Sequence, residues 1–508
     1  MSNCNTITIK VAKSYGLWIN GEEKDGVDGK FIEVINPATG ELVAKVAEAT
    51  DADVKIAITA AEAAFDDGRW SKKSARERGR VLRKAAQLCF DNTALFAEVE
   101  TLCTGRAIKE MKAQTGRIPE WLEYFGSIVE GMEGQVTPFA GDYLNYVRRV
   151  PIGVCVQLTA FNHPMLLAMK KLAPALAAGN TVVMKPSELT PISAILIAKY
   201  LSEAGLPAGV FNVVNGYGLT CGAPLVGDPR VKKVDMTGGT TTGRLIGATV
   251  GRNLAHFTAE LGGKAPILVF NDATLEQAVN GIAFGAFVAS GQTCVAATRL
   301  LVQEDIAEKF AEMFVAKCNK IRLGDPLAAS TQMGCMISNA SMQRVDAIVQ
   351  EAVAGGCKVL CGGKRVTIEG NFANGPFYPP TLIGNVKATD RVFQEELFGP
   401  VLVMVPFKDE AEALALANNC DFGLGAAVWT RDIKRGHRVA HALKAGVVWI
   451  NDHHRNDPSS PWGGMKLSGI GRENGWECLK EYTQTQSVVC SIAESNFDWF
   501  DQENARYG

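Results

Sequence analysis

Short hydrophobic runs alternate with longer stretches of mixed polarity through most of this chain, beginning near Pro151. The runs are short enough for strands, and the stretches between them are long enough for helices. In the first half of the pattern the predicted strands are 154–158, 180–184, 210–214 and 233–236. The predicted helices between them include 164–178 and 191–204. This alternation predicts βαβ units and a mostly parallel sheet, which binds ligands beyond the carboxyl ends of its strands.

A second set of the same kind begins near Ala265. Its predicted strands are 266–270, 299–302, 401–405, 425–429 and 446–450, and its predicted helices include 275–287 and 306–321. Residues 133–150 mix polar and β-forming side chains, and residues 483–492 alternate in polarity like a strand. The sequence therefore predicts an α/β protein with two parallel-sheet units and an extended β arm.

Composition limits the classes of partner that this chain could bind. It has 508 residues, of which 47% are hydrophobic and 21% charged, with a formal net charge of −2. At about 150 residues per domain, this length predicts several globular units. The near-neutral charge gives no electrostatic case for binding nucleic acid or an anionic membrane surface.

Neither the terminus nor the cysteines indicate export. No apolar run reaches about 18 residues without a charge, and the first residues lack a basic stretch followed by an apolar one. The thirteen cysteines are irregularly spaced, and Cys357 and Cys361 have no matching pair or nearby histidines. We therefore expect a cytoplasmic protein with reduced thiols and no bound metal.

Cys294 differs from the other cysteines in its surroundings. It follows the small-residue run Ala289-Ser290-Gly291 and then two polar residues. A free cysteine most often packs as a small hydrophobic residue, an interpretation that fits Cys89, Cys155 and Cys318 better. We interpret Cys294 as a candidate nucleophile, which needs a base and an oxyanion stabiliser.

Glu260 and Asn162 are candidates for those two roles. Glu260 lies in an otherwise apolar and glycine-rich stretch, where burial would raise its pKa toward the range that a general base needs. Asn162 follows the first predicted strand of the sheet, where its amide could donate to a developing oxyanion. Taken alone, Glu260 could equally be a structural carboxylate, and Asn162 could be a turn residue before Pro164.

Two further loops at strand ends suit a nucleotide cofactor. Lys185-Pro186-Ser187-Glu188 follows a predicted strand, and its lysine and carboxylate suit ribose hydroxyls. The loop Thr237–Gly243 precedes a helix, whose free N-terminal amides suit a pyrophosphate. Its glycine spacing differs from the dinucleotide-binding fingerprint and from the P-loop. Taken alone, each segment could also be an ordinary loop.

In their order along the chain, these segments resemble the motifs of the aldehyde dehydrogenase superfamily. The resemblance extends from about Trp18 to about Val489. The matching segments are Phe161-Asn162-His163-Pro164, Lys185–Glu188, Glu260-Leu261-Gly262-Gly263-Lys264, Gly291-Gln292-Thr293-Cys294, Glu395–Pro400 and Pro461–Glu473. Gly239 and Phe161 depart from the serine and tryptophan that are common in the family.

The resemblance implies a role for each catalytic residue. Cys294 would attack the aldehyde, and Asn162 with the Cys294 amide would hold the oxyanion. The resulting thiohemiacetal would give a hydride to nicotinamide, and Glu260 would activate the water that hydrolyses the thioester. Lys171 and Glu473 would assist proton relay behind Glu260.

The resemblance also implies an NAD site. Its residues would be Lys185, Ser187, Glu188, Gly238, Gly239, Thr240, Gly243, Leu261, Glu396 and Phe398. Because the carboxylate of Glu188 would repel a 2′-phosphate, NADP is the less favoured cofactor.

Motif alignment assigns an unusually polar set of residues to the substrate pocket: His163, Leu167, Lys170, Val288, Thr293, Val295, His453, His454 and Arg455, with Asn456 in the same loop. These cations and imidazoles suit a semialdehyde or hydroxy-aldehyde, with a carboxylate or hydroxyl group. The alternative is that Lys170 and Arg455 face solvent or pair with Asp452 and Asp457.

The resemblance implies four parts. They are a Rossmann-like NAD-binding domain (1–132 and 151–262), an α/β catalytic domain (263–470), an oligomerisation arm (133–150 and 483–492) and a C-terminal extension (493–508). The arm would assemble the chain into a homodimer or homotetramer. Two rival functions are a CoA-acylating aldehyde dehydrogenase, which needs no base at Glu260, and a non-catalytic protein on the same fold, which needs neither Glu260 nor Cys294.

Overall fold

The computed structural model describes residues 11–494 and Phe500. The predicted extension 493–508 therefore lies almost entirely outside the described residues, including the aromatic side chains of Phe497, Trp499 and Tyr507. Sixteen α-helices lie in the described part: Asp51–Asp66, Ala75–Asp91, Thr93–Thr104, Ile108–Thr115, Glu120–Ile128, Pro164–Ala177, Ile192–Ala204, Ala223–Gly227, Thr240–Arg252, Leu275–Phe287, Glu304–Cys318, Asn339–Ala354, Arg391–Gln394, Glu410–Asn418, Ile433–Ala442 and Gly475–Glu481.

The first large sheet has eight strands, of which the five central ones are parallel. In spatial order the strands are Gly469–Ile470, His256–Glu260, Val231–Thr237, Val154–Leu158, Thr181–Lys185, Phe211–Val213, Leu17–Ile19 and Glu22–Lys24. Thr181–Lys185 is buried along its whole length because helices cover both faces of a parallel sheet. The predicted strand 154–158 is confirmed with its bounds unchanged, and the prediction 180–184 is one residue early.

The carboxyl ends of the central strands form one edge. Met236 pairs with Leu158, and Leu158 pairs with Lys185 on its other side. Thr237 pairs with Glu260. Side chains that immediately follow these strands are therefore brought to the same place, as the parallel arrangement requires.

The second large sheet has seven strands, all parallel except for one edge strand. In spatial order they are Lys358–Cys361, Thr381–Gly384, Val401–Phe407, Ala297–Gln303, Ala265–Val269, Gly425–Trp429 and Val447–Ile450. Strands Ala265–Val269 and Gly425–Trp429 are buried on both faces, and the bounds predicted for 425–429 are confirmed. The fold class is thus α/β with two mainly parallel sheets.

A third sheet has three antiparallel strands, Thr483–Ser491, Tyr143–Pro151 and Gln135–Thr137. The long pair keeps an unbroken register from Thr483 opposite Pro151 to Ser491 opposite Tyr143. Several of its apolar side chains are exposed, among them Val136, Leu144 and Val489. This sheet coincides with the predicted β arm, and its role in assembly stays a prediction.

The described part also contains two smaller sheets, and one short strand lies on the other side of a predicted domain boundary. Ser14–Tyr15, Leu42–Ala47 and Phe31–Ile35 form one small sheet, and Phe422–Gly423 pairs with Met465–Lys466 in the other. Gly469–Ile470 pairs with the first large sheet, although the predicted boundaries assign it to the catalytic domain. The predicted domain division itself stays a prediction.

Among the residues with described structure, no helix is both long and apolar enough to cross a membrane.

Candidate active site

The segment Leu261–Lys264 joins the two large sheets and lies at the centre of the site. It leaves the carboxyl end of His256–Glu260 and enters the second sheet at Ala265, which pairs with Ala297. Cys294 precedes Ala297 by three residues. A Cβ on Gly263 would lie 2.1 Å from the Cys294 carbonyl oxygen, so only glycine allows this approach. The close packing explains why Glu260 and Cys294 meet although they come from different sheets.

The backbone before Cys294 has an unusual conformation. Ala289, Ser290 and Gly291 have φ values of 53°, 53° and 71°, in the left-handed region that side chains disfavour. Contacts hold them there: Ala289 N donates to Glu110 Oε1 at 3.1 Å, and Ser290 Oγ donates to the Gly334 carbonyl at 3.1 Å. This conformation ends the helix Leu275–Phe287 and leads the chain to Cys294 at the cavity surface.

Cys294 is a protonated thiol in the resting protein. Its side chain is part of a hydrophobic cluster, and burial together with the nearby Glu260 raises its pKa to about 12. Thiolate formation therefore needs an acceptor for the proton or a change in surroundings when ligands bind. The other described cysteines are also free thiols.

Asn162 lies beside the Cys294 loop. Its Nδ2 donates to the Gln292 carbonyl at 2.9 Å, which ties the end of the first sheet to the nucleophile loop. The Asn162 side chain is buried, and a second hydrogen on Nδ2 is available for another acceptor. The amide is therefore placed to donate to an oxygen that develops near Cys294.

Glu260 is a buried carboxylate without a hydrogen-bond partner on either oxygen. Burial is the main reason that its pKa rises to about 8, and the negative charge of Glu473 adds to the effect. A carboxyl group with this pKa exchanges a proton near neutral pH, as a general base must.

Behind Glu260 lies a network of buried ions. Lys171 Nζ donates to Asp235 Oδ1 at 2.5 Å and to Glu473 Oε1 at 2.6 Å, while Lys170 Nζ lies 2.6 Å from Glu473 Oε2. Burial alone would raise the pKa of Glu473, but the two lysines outweigh it and lower that pKa to about 2. Tyr482 completes the network by donating to Asp235 Oδ2 at 2.6 Å. Lys171 and Glu473 thus lie in the network next to Glu260, and the proton relay that the resemblance implies for them stays a prediction.

A cavity of about 620 Å³ opens onto these groups. Its walls include the catalytic candidates and most of the predicted pocket residues: Asn162, His163, Leu167, Lys170, Glu260, Val288, Thr293, Cys294, His454, Arg455, Asn456 and Glu473. The apolar part of the wall includes Trp121, Phe284, Phe287 and Trp462. A volume of this size suits a small organic molecule.

Two predicted pocket residues, His453 and Val295, do not contribute to the wall, so their assignment is wrong. His453 is fully buried, and its Nε2 lies 2.7 Å from the Val295 carbonyl oxygen, to which it donates. Val295 packs in the core of the second sheet. His454, in contrast, lines the cavity, and its backbone has a positive φ of 65°.

The two cations expected to recognise a substrate carboxylate already have partners. Arg455 Nε donates to Asp452 Oδ2 at 3.0 Å, and the Arg455 side chain is 73% exposed. Lys170 pairs with Glu473 and lies 4.5 Å from the centre of the Trp462 ring. Arg455 is thus paired with Asp452, as in the alternative given above, whereas Lys170 is paired with Glu473, which that alternative did not include. The role of both cations toward a substrate stays a prediction.

Arg106, Glu110 and Gln114 belong to the site but lie outside the motifs. Arg106 is buried, its Nη1 lies 2.8 Å from His163 Nδ1, and it also donates to the Asn162 carbonyl at 2.9 Å. Glu110 accepts from Arg106 Nε at 3.0 Å, and Gln114 Oε1 accepts from Arg106 Nη1 at 3.0 Å. Glu110 and Gln114 are four residues apart on the helix Ile108–Thr115, and Arg106 lies just before that helix, so the spacing by four residues is a weak sequence signal for this group.

The loop Lys185–Glu188 lies at the same sheet edge as Glu260. Lys185 Nζ donates to the Pro186 carbonyl at 2.9 Å and lies 3.7 Å from Glu188 Oε2. Ser187 Oγ accepts from the Leu189 amide at 3.3 Å. The lysine and the carboxylate are thus available together at the end of a parallel strand.

The glycine-rich loop is shorter than the predicted 237–243. The helix begins at Thr240, so that Thr240 and Gly243 lie in its first turn and the loop is Gly238 and Gly239. A Cβ on Gly239 would meet nothing within 4 Å, whereas a Cβ on Gly243 would lie 2.6 Å from Leu261 Cδ2. The helix N-terminus is therefore open toward the edge and packs closely on Leu261, an arrangement that suits an anionic pyrophosphate.

Glu396 and Phe398 approach the site from the second sheet. Glu396 Oε1 accepts from the Gly263 amide at 2.8 Å, and burial raises the pKa of this carboxyl to about 7. The Phe398 ring meets the Phe161 ring edge-on at 5.8 Å between centroids. These two residues border the segment that joins the two sheets.

Comparison with a family model and comparison with known proteins indicate the same family. The family model described as "Aldehyde dehydrogenase family" matches residues 24–488. A betaine aldehyde dehydrogenase of Brucella melitensis biotype 2 is 42% identical over 478 residues, which cover 94% of this chain and 97% of that protein.

Solved structures agree in fold over nearly the whole chain. A betaine aldehyde dehydrogenase from Staphylococcus aureus, in complex with NAD⁺, has 37% identity and a TM-score of 0.94, and the alignment covers 96% of this chain and 97% of that one. The protein PnpE, in complex with nicotinamide adenine dinucleotide, has 42% identity and a TM-score of 0.93, and the alignment covers 96% of this chain and 100% of that one.

Proposed function

The chain belongs to the aldehyde dehydrogenase family, and from this premise we propose that it oxidises an aldehyde to a carboxylate with NAD as the hydride acceptor. The observation that supports the proposal most is the wall of one cavity, which contains a half-buried thiol, a buried carboxylate without a partner and an asparagine amide. Nucleophile, base and oxyanion donor are the three components that thiol-based acyl chemistry needs.

In the first half of the proposed reaction, Cys294 Sγ forms a bond to the aldehyde carbon while the carbonyl π bond breaks. The thiol proton passes to the former carbonyl oxygen and leaves to solvent when the thioester forms. Asn162 Nδ2 and the Cys294 amide donate to the oxygen of the thiohemiacetal. Bound NAD supplies the chemistry of hydride acceptance. Once the carbon has lost its hydride, a thioester remains on Cys294.

In the second half, Glu260 takes a proton from water, whose oxygen attacks the thioester carbon. The C–S bond then breaks, the carboxylate product forms and Cys294 is released as the thiol. Lys170 and Lys171 lie behind Glu260 and favour its charged form, whereas the carboxylates of Glu473 and Asp235 in the same network oppose it. The pKa of about 8 allows Glu260 to accept and return the proton in each turnover.

The residues present fit NAD. The open helix N-terminus at Gly239 would bind the pyrophosphate, Lys185 and Glu188 the adenosine ribose, and Glu396 the nicotinamide ribose. Glu188 supports NAD over NADP because its carboxylate would face the 2′-phosphate. Replacement of Glu188 by glutamine is expected to lower the ratio of kcat/KM with NAD to that with NADP by about tenfold, and paired kinetics with both cofactors would measure it.

For the substrate we propose a polar aldehyde, and of the two classes expected from the sequence we favour a hydroxy-aldehyde over a semialdehyde. The imidazole of His163 supports a polar group near the reacting carbon, whereas His454 Nε2 already lies 3.0 Å from Thr293 Oγ1. The paired states of Lys170 and Arg455 weaken the case for a carboxylate. Glu260 also favours transfer of the thioester to water over transfer to CoA.

A single variant tests the proposal. Cys294→Ala is expected to lower aldehyde oxidation by about 10⁴-fold or more, because it removes the only atom that bonds to substrate. Cys490→Ala is the matched control, since Cys490 is exposed on the arm. Product analysis with and without CoA separates hydrolysis from acyl transfer, and a CoA thioester as main product would contradict the proposal.

Assembly and location are also proposals. The exposed apolar side chains of the antiparallel arm support its pairing with another copy, in a homodimer or homotetramer. The free thiols of the described cysteines support a reducing compartment, as in the cytoplasm.

A further inference from the structure

His163 has one ring nitrogen that is engaged by donors and one that has no partner. Arg106 Nη1 lies 2.8 Å from its Nδ1, Gln114 Nε2 lies 2.9 Å from the same atom, and Gln114 Oε1 lies farther away, at 3.3 Å. A hydrogen on Nδ1 would face the guanidinium group, which can only donate, so we assign Nδ1 as the acceptor. The neutral ring therefore carries its hydrogen on Nε2.

That Nε2–H group is a buried donor without a protein partner. The His163 side chain is 5% exposed, and Nε2 makes no hydrogen bond to any described residue. A buried donor that stays unpaired destabilises the folded protein. His163 is part of the cavity wall next to Asn162, and Nε2 itself is covered, so a ligand oxygen can become its partner when the wall adjusts on binding.

The charges around His163 favour a neutral oxygen as that partner. Arg106 and Lys170 are the cations that act on the ring, and each is paired with a carboxylate, Glu110 and Glu473 respectively. Burial and the Arg106 charge hold the pKa of His163 well below its usual range, so the ring remains uncharged. A quaternary ammonium group has no acceptor and would leave the donor unpaired.

We propose that His163 determines substrate specificity by donating a hydrogen bond from Nε2 to a neutral oxygen, such as a hydroxyl, ether or carbonyl, on the body of the aldehyde. Arg106 and Gln114 act as positioning residues, because they fix the hydrogen on Nε2. This inference rests on the proposed function and names the substrate class of the same site.

The test uses a chain-matched set of aldehydes. One member is an unbranched alkanal, others replace one methylene at successive positions by an ether oxygen, and two end in a carboxylate or a trimethylammonium group. In the parent enzyme, one ether position is expected to exceed the alkanal in kcat/KM by about 5- to 10-fold. A best rate with the trimethylammonium or the carboxylate aldehyde would overturn the proposal.

Variants of His163 and Gln114 test whether this preference for an ether oxygen depends on the His163 donor. His163→Phe, which lacks the donor, is expected to reduce the ether-to-alkanal ratio to about one, and His163→Gln, which retains a donor, to preserve part of it. Gln114→Leu should lower the ratio in the same direction, a change that a purely structural role would not produce. His256→Phe is the control, since His256 is exposed at the start of a strand of the first sheet. If His163→Phe changes kcat/KM by the same factor for every aldehyde of the set, the proposal is wrong.

A binding measurement separates this inference from the proposed function. Calorimetry of the matched primary alcohols with the Cys294→Ala variant reports the oxygen preference without turnover. An enzyme that oxidises no aldehyde but retains the preference overturns the proposed function alone. An active enzyme without the preference overturns the role of His163 alone.

Discussion

Glu260 and Glu473 are neighbouring buried carboxylates with opposite properties. Glu260 has no hydrogen-bond partner and a pKa raised to about 8, whereas Glu473 is paired with Lys170 and Lys171 and has a pKa lowered to about 2. Burial acts on both in the same direction, so the difference comes from the lysines. The comparison shows that the site separates a carboxyl group that exchanges protons from one that holds a fixed charge.

The largest expected effect comes from removing the exchangeable carboxyl group. Glu260→Gln is expected to lower steady-state aldehyde oxidation by about 10²–10⁴-fold, because thioester hydrolysis loses its general base. Acylation of Cys294 does not need this base in the proposed scheme. Stopped-flow measurement should therefore show a burst of about one NADH per site, followed by slow turnover.

The burst decides whether the two steps are correctly assigned to residues. A Glu260→Gln enzyme without any burst would show that Glu260 also acts before the hydride leaves. Glu477→Gln, an exposed carboxylate variant on the helix Gly475–Glu481, serves as the control.

Removing a cation from the network should affect the free energy of unfolding. Lys171→Met leaves Asp235 and Glu473 without their shared donor and is expected to destabilise the protein by about 3–5 kcal/mol. Chemical denaturation measures this loss. Lys55→Met breaks an exposed ion pair with Asp51 and should change stability little, so an equal loss in both variants would contradict the role of burial.

The smallest effect is a pH dependence of opposite sign at the two carboxylates. For Glu260 the folded pKa of about 8 lies above the ordinary value of 4.5, so stability is lost as pH rises through that interval. For Glu473 the folded pKa of about 2 lies below 4.5, so stability is lost as pH falls between them. The thermal midpoint of the Glu260→Gln variant should therefore exceed that of the parent by more at pH 8.5 than at pH 5. In free energy of unfolding, the advantage of the variant should grow by about 1 kcal/mol or more between the two pH values.

The same scan with Glu473→Gln sharpens the contrast. This variant should be less stable than the parent above pH 5, and its deficit should shrink as the pH approaches 2. Parallel curves for the two glutamine variants would show that the two carboxylates do not differ in protonation.

Several parts of this site follow from local sequence patterns. The strands 154–158 and 425–429 are short apolar runs between helical stretches, and Glu260 and Cys294 lie in glycine-rich segments that allow close backbone approach. Such features act within a few residues, so a single sequence reveals them. The proximity of Glu260 to Cys294 follows once both parallel sheets are assigned.

Other parts depend on contacts that no local pattern contains. Lys170 and Glu473 are separated by about 300 residues in the chain, and nothing near either residue indicates the other. Arg106 and Gln114 come from a helix-rich region with no motif. His454 rather than His453 lines the cavity, and its positive φ, at a non-glycine residue, is a conformation that tertiary packing imposes.

The left-handed backbone at Ala289–Gly291 has a consequence for how activity returns after denaturation. Its anchors are remote in sequence, since Glu110 lies 179 residues from Ala289, Asn162 130 residues from Gln292 and Gly334 44 residues from Ser290. Isolated from those anchors, Ala289 and Ser290 would relax to ordinary dihedral angles. The nucleophile therefore acquires its geometry only when both sheets have docked. During refolding, circular dichroism should recover first and catalytic competence last.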